Sequence, residues 1–117
     1  MPHYIDFFVV PIPKTKVDAY KAHAKRWAKI WKKMGAVDYV ECLADDVKPG
    51  KLTSYPQSVL LKKNETIASA YVVFKSKAHR DRLWKKMMAH PELKDMDMSK
   101  MPFDGARMFF GGFKQIA

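Results

Sequence analysis

The sequence predicts an α+β domain of the ferredoxin-like kind, with elements in the order β-α-β-β-α-β. Three observations carry that expectation. Four runs rich in aromatic and β-branched residues are closed by proline, glycine or charged turns. Two stretches with apolar residues at spacings of three and four separate the first run from the second and the third from the fourth. No repeat, linker or low-complexity segment interrupts the order, so residues 1–117 are expected to form one domain.

The first strand is read over residues 3–11, His-Tyr-Ile-Asp-Phe-Phe-Val-Val-Pro. Thr15 is the expected cap of the first helix, with Asp18 three residues on as a weak capping box. Val17, Tyr20, Ala24, Trp27, Trp31 and Met34 share one face of that helix, and Gly35 ends it. Residues 36–46 read as a second strand around Tyr39-Val40-Glu41-Cys42-Leu43, with Cys42 expected to be buried and inert. Lys48-Pro49-Gly50-Lys51 is a turn signal, and Tyr55 to Leu61 reads as a short helix. Thr66 to Phe74 forms the third strand. Ser76 caps a second helix whose inner face holds Leu83, Met87 and Trp84, and Pro91 breaks it. The last strand is expected from Arg107 to Ile116, where Gly111-Gly112 signals a bulge or a close backbone approach.

These strands are apolar on both sides. Ile5, Phe7 and Val9 oppose Tyr4, Phe8 and Val10, while Ala68, Ala70, Val72 and Phe74 oppose Ile67, Ser69, Tyr71 and Val73. Two helices cover only one face of a four-stranded antiparallel sheet. The other would expose more than the few hundred Å² usual for a monomer. A symmetric homodimer through that face is the expected solution. The alternative is that residues 47–65 fold across it.

Composition narrows the function classes. No run approaches the roughly 18 apolar residues of a membrane span. The start of the chain lacks a basic n-region, and Cys42 is the only cysteine, so a reducing cytoplasm is the expected location. The formal net charge of +10 is concentrated in two segments. Residues 14–33 hold eight Lys/Arg against Asp18, and residues 75–86 hold six against Asp81. Lys21, Lys25, Lys29 and Lys32 form an outward stripe. A non-enzymatic protein binding RNA or another anion is therefore the alternative functional class. The third strand nevertheless lacks the basic-Gly-aromatic opening of an RNA-recognition module, which argues against nucleic acid.

Several motifs in order resemble a known family. They are Tyr39-Val40-Glu41-Cys42, Asp45-Asp46-Val47 with Pro49-Gly50-Lys51-Leu52-Thr53-Ser54, Ser76 to Asp81, and Met101-Pro102-Phe103-Asp104-Gly105 with Arg107-Met108 and Gly111-Gly112-Phe113. Over nearly its whole length the chain is similar to the YbaA-type domain-of-unknown-function family. That resemblance implies the dimeric α+β barrel group. The wider group includes cofactor-free monooxygenases, isomerases, haem enzymes and proteins without known activity, so it assigns no reaction. The family offers no catalytic residues to carry over.

Candidate site residues come from alternation. Asp6 shares a face with Tyr4 and Phe8, Glu41 with Tyr39, and Ser69 with Tyr71. If those faces coincide, carboxylates, phenols and a hydroxyl line one cavity between sheet and helices. It would take a small apolar or aromatic molecule, with Asp6 or Glu41 as base and Tyr39, Tyr71 and Ser69 as ligand contacts. A structural ion pair of Asp6 or Glu41 with Arg107 is the competing expectation. His79 and Arg80, in the first turn of the second helix, form a second candidate, with His79 as proton shuttle and Arg80 as anion contact. The four histidines show no ligand spacing, and no cofactor or metal is expected. No nucleophile–base pair stands out, so the residues do not decide whether the protein is an enzyme.

Overall fold

The computed structural model describes residues 2–117 and, of Met98, the backbone alone. Four strands form one antiparallel sheet: β1 (Tyr4–Pro13), β2 (Asp38–Leu43), β3 (Glu65–Phe74) and β4 (Phe109–Lys114). Their spatial order is β2-β3-β1-β4. The two most apolar strands, β1 and β3, take the central places and pair along their full length, from Tyr4 opposite Phe74 to Pro13 opposite Glu65. Helix α1 (Val17–Met34) and helix α3 (Lys77–Met88) cover one face. Short helical turns α2 (Tyr55–Ser58) and α4 (Pro91–Lys94) lie in the connections.

Local chemistry accounts for most element ends. Gly35 closes α1 at φ 114°, a left-handed conformation that costs glycine little. Ser54 and Ser76 cap α2 and α3 by accepting the backbone N–H groups of Gln57 and His79. Thr15 does not cap α1. It lies within a 3₁₀ turn, Lys14–Lys16, and the first helical turn begins after Lys16 without a side-chain cap. Strand β4 starts two residues later than its sequence pattern suggests. Asp104 caps a 3₁₀ turn, Gly105–Arg107, and draws Arg107 out of the sheet.

The inner face of the sheet carries Asp6, Phe8, Val10 and Ile12 of β1 against Ala68, Ala70, Val72 and Phe74 of β3. Trp27 and Trp31 from α1 and Leu83 and Met87 from α3 close over it. Burying such side chains contributes roughly 1.5–3 kcal/mol each.

The opposite face is divided. At one end Val59 and Leu61 lie on Val9 and Ile67, so residues 59–61 cover the sheet there. Arg107 fastens that cover. Its guanidinium pairs with Glu65 and donates to the carbonyl oxygen of Leu60 at 3.1 Å, while Nε donates to Asp104 at 2.7 Å. The Arg107 hydrogen bonds hold the Glu65 carboxyl below the usual carboxylate range. At the other end none of the described residues covers the aromatic patch. Phe7, Phe109 and Phe113 are 43%, 47% and 58% exposed, and Phe113 meets Phe7 edge-on at 5.4 Å. The expected cover from residues 47–65 is thus present only at one end, and an open apolar patch remains at the other. Cys42 lies on this face of edge strand β2 and is exposed rather than buried, because the cover does not reach it.

Gly112 sits opposite Asp6 in the register. A Cβ there would lie 2.5 Å from the Tyr4 hydroxyl and 2.8 Å from Arg80 Nη2, so a close approach explains this glycine.

Candidate functional site

A cavity of about 170 Å³ lies between the inner sheet face, α1, α3 and the residues after α3. Aromatic rings and apolar side chains make up most of its walls. All three tryptophans of the chain, Trp27, Trp31 and Trp84, line it. Leu93 and Met96 close one side, and Phe103 and Met108 another.

Glu41 is the polar centre. Tyr39 and Glu41 are two residues apart on β2, which turns both side chains to the inner face. Tyr20 reaches the same point from the buried face of α1. The carboxylate accepts one phenol on each oxygen: Tyr20 on Oε1, and Tyr39 on Oε2 at 2.7 Å. Burial first, and then the Glu41 charge and hydrogen bond, push both phenols far above the usual tyrosine range. They remain protonated donors across the physiological range.

His23, one helical turn after Tyr20, also lines the cavity. Its ring lies 5.9 Å from that of Tyr20 and 5.4 Å from that of Phe103. Trp27 Nε1 donates to His23 Nδ1 at 3.3 Å. Indole N–H is only a donor, so the neutral imidazole carries its proton on Nε2. Burial, followed by the Arg26 charge, lowers the His23 pKa to about 4.

This shift has a consequence for stability. The unfolded chain takes up a proton near pH 6.5, whereas the folded one resists until about 4. The His23 contribution is therefore complete above pH 6.5 and is lost as pH falls toward 4. Between about pH 7.5 and 4.5 the wild type should lose about 1–2 kcal/mol more than His23→Gln, after allowing for solvent screening of a partly exposed ring, as measured by urea unfolding. Superimposable pH profiles would contradict this assignment.

The sequence-predicted candidates separate into groups. Glu41 and Tyr39 meet in the cavity. Asp6 lies on the same face but outside the lining, fully buried. It accepts Arg80 Nη2 at 2.9 Å, Arg80 Nε at 3.1 Å and Trp84 Nε1 at 2.7 Å. Those bonds occupy Asp6 structurally, so it is not placed as a base. Its ionic partner is Arg80 rather than Arg107, which belongs to Glu65 and Asp104. The hydrogen bond to Asp6 raises the Arg80 pKa further, and Arg80 also stands 5.2 Å over the Tyr4 ring. These contacts hold the Arg80 guanidinium in place, away from the Glu41 cavity.

Tyr71 and Ser69 do not join the cavity. The register places them opposite Phe7 and Val9, on the other face of the sheet. His79 is also outside it. Its Nδ1 accepts the Lys75 backbone N–H at 3.0 Å, and its ring lies against Phe74 at the start of α3. At that helix start Ser76 Oγ accepts the His79 backbone N–H at 3.1 Å. Sequence reasoning missed Tyr20 and His23 as site residues. Tyr20 is indistinguishable from core by periodicity, but His23, flanking the apolar stripe between Tyr20 and Trp27, was a readable signal.

Among the described residues no group of three or more His, Cys, Asp or Glu side chains converges, and no helix is long and apolar enough to cross a membrane.

Fold and cavity together define a small ferredoxin-like α+β protein with an aromatic-lined cavity between sheet and helices. The chain belongs to the family described as "Protein of unknown function (DUF1428)", whose model matches residues 3–105. It is 42% identical over 113 residues to the uncharacterized protein YbaA of Escherichia coli K12, covering 97% of this chain and 96% of that protein. The same identity and coverage relate it to YbaA of Shigella flexneri. Among solved structures, a dimeric ferredoxin-like protein from an uncultured marine organism matches with a TM-score of 0.58. That likeness covers 97% of this chain and 94% of the other at 12% identity, and it shows the shared fold.

Proposed function

We propose that this protein is a homodimer whose protomers each bind a compact, largely apolar or aromatic molecule in the inner cavity. Glu41 acts there as a base that moves a proton without a cofactor. The observation that carries the reading is the Glu41 carboxylate, held by two phenols inside a chamber walled by three tryptophans. A base fixed among aromatic rings is suited to removing a proton from carbon beside a carbonyl. In that step the C–H electron pair passes into the C–C bond and the carbonyl pair moves onto oxygen. His23 Nε2–H is a donor lining the same cavity, suited to stabilising that oxygen. Isomerisation and cofactor-free oxygenation both start with such a deprotonation. Support for the dimer comes from the open aromatic patch and from the dimeric description of the solved neighbour.

Because all three tryptophans line the cavity, intrinsic fluorescence reports on it directly. Acetophenone should perturb that emission saturably, and its methyl protons should exchange with deuterium in D₂O faster than in buffer. Glu41→Gln should bind acetophenone but lower the enzyme-dependent exchange by about 10²–10⁴-fold. No saturable emission change would defeat the ligand reading. Saturable binding without accelerated exchange would defeat the role of Glu41 as a base.

A further inference from the structure

The protein carries a net charge of +10, yet its cavity has the opposite character. Among the described residues, no Lys or Arg lines it, and Glu41 is the one carboxylate that does. His23 adds no positive charge at neutral pH, since its Nδ1 is taken by Trp27 and its protonation is suppressed by burial. The two tyrosines donate neutral hydrogen bonds and bring no counter-ion. A carboxylate is thus held among aromatic rings without a cationic partner, although cations are abundant on the surface. Ion pairs elsewhere in the fold show the contrast: Asp6 has Arg80, and Glu65 has Arg107.

Aromatic faces carry negative electrostatic potential and attract cations, most of all where water is excluded. A ring-walled chamber around one carboxylate therefore complements an organic cation in charge and in surface. The number of available acceptors refines the class. Two phenols take one lone pair on each Glu41 oxygen, His23 Nδ1 already accepts an indole, and the rest of the lining is apolar or aromatic. A primary ammonium carries three N–H donors that such walls serve poorly. A methylated ammonium presents methyl groups to the rings and leaves only its charge to be matched by Glu41.

The neighbouring surface agrees. A groove that shares His23 and Met96 with the cavity holds Arg26, Glu92 and Asp95. Arg26 pairs with Glu92 at 2.8 Å, so the charged groups of this groove sum to a net negative charge on a basic protein.

From these observations we infer that the cavity selects a small organic cation of the methylated-ammonium class, with Glu41 as its counter-ion and the tryptophan rings as its walls. This inference rests on the cavity being a ligand site, as proposed above, and adds the charge of the ligand.

The test compares phenyltrimethylammonium with tert-butylbenzene, its neutral isostere, by tryptophan fluorescence titration of the full chain. The wild type should bind the cation at least about tenfold more tightly, and Glu41→Gln should abolish that preference while retaining the neutral compound. Tighter binding of tert-butylbenzene would overturn the inference and leave the ligand site standing. Absence of binding by both would overturn the inference and the ligand site together. A cation preference unchanged in Glu41→Gln would overturn the counter-ion assignment. The wild-type comparison decides the charge preference by itself, even if the variant does not fold.

Discussion

Arg80→Met is expected to cost about 3–5 kcal/mol of folding free energy, because it leaves the Asp6 carboxylate buried without a cation. The Asp6 side chain is 1% exposed, so water cannot replace the guanidinium. The loss should lower the melting midpoint by more than about 10 °C for a domain of this size. It should also disturb the cavity, since Trp84 takes its orientation from the same carboxylate. Thermal unfolding and near-ultraviolet circular dichroism would measure the two effects. A midpoint within about 2 °C of wild type would show that the pair does not carry this role. Adding Asp6→Asn to Arg80→Met removes the stranded charge and should recover part of the loss, a coupling that a double-mutant cycle would quantify.

Phe113→Glu should split the proposed dimer. Phe113 is 58% exposed within one chain, so a charge there leaves the protomer fold intact. In a two-fold interface each substitution acts twice. Losing two buried phenyl groups and placing two carboxylates in an apolar contact should raise the dimer dissociation constant at least about 10³-fold. Sedimentation of wild type and variant at micromolar concentration would show it. A variant that sediments like the wild type would remove this face from the interface.

The architecture was legible because alternation is a strict geometric signal. Once a run is a strand, its two faces follow, and Ile5, Phe7 and Val9 do oppose Phe8 and Val10. Which faces of different strands coincide depends on register, which alternation leaves open. Alternation alone therefore allows Tyr71 and Ser69 to share a face with Glu41, and pairing across β1 and β3 puts them on the other side. Ion-pair partners were harder still. Asp6 and Arg80 are 74 positions apart, and only the placement of α3 over β1 chooses Arg80 in preference to Arg107. His79 drew attention as an imidazole at a helix start, yet a backbone N–H claims its free nitrogen. His23 is readable from its place beside the aromatic stripe, a signal that spacing tests for metal ligands do not register.

The cavity and the open aromatic patch lie on opposite sides of one sheet. If a second copy covers the patch, the two chambers face outward from the assembly with both sheets between them. Neither protomer then lends a side chain to the other's chamber, and filling one places no new contact in the other. Such an assembly would take up two ligands as independent events, with a Hill coefficient of about one. Pairing would then supply stability and solubility, while recognition stayed the property of each chain alone.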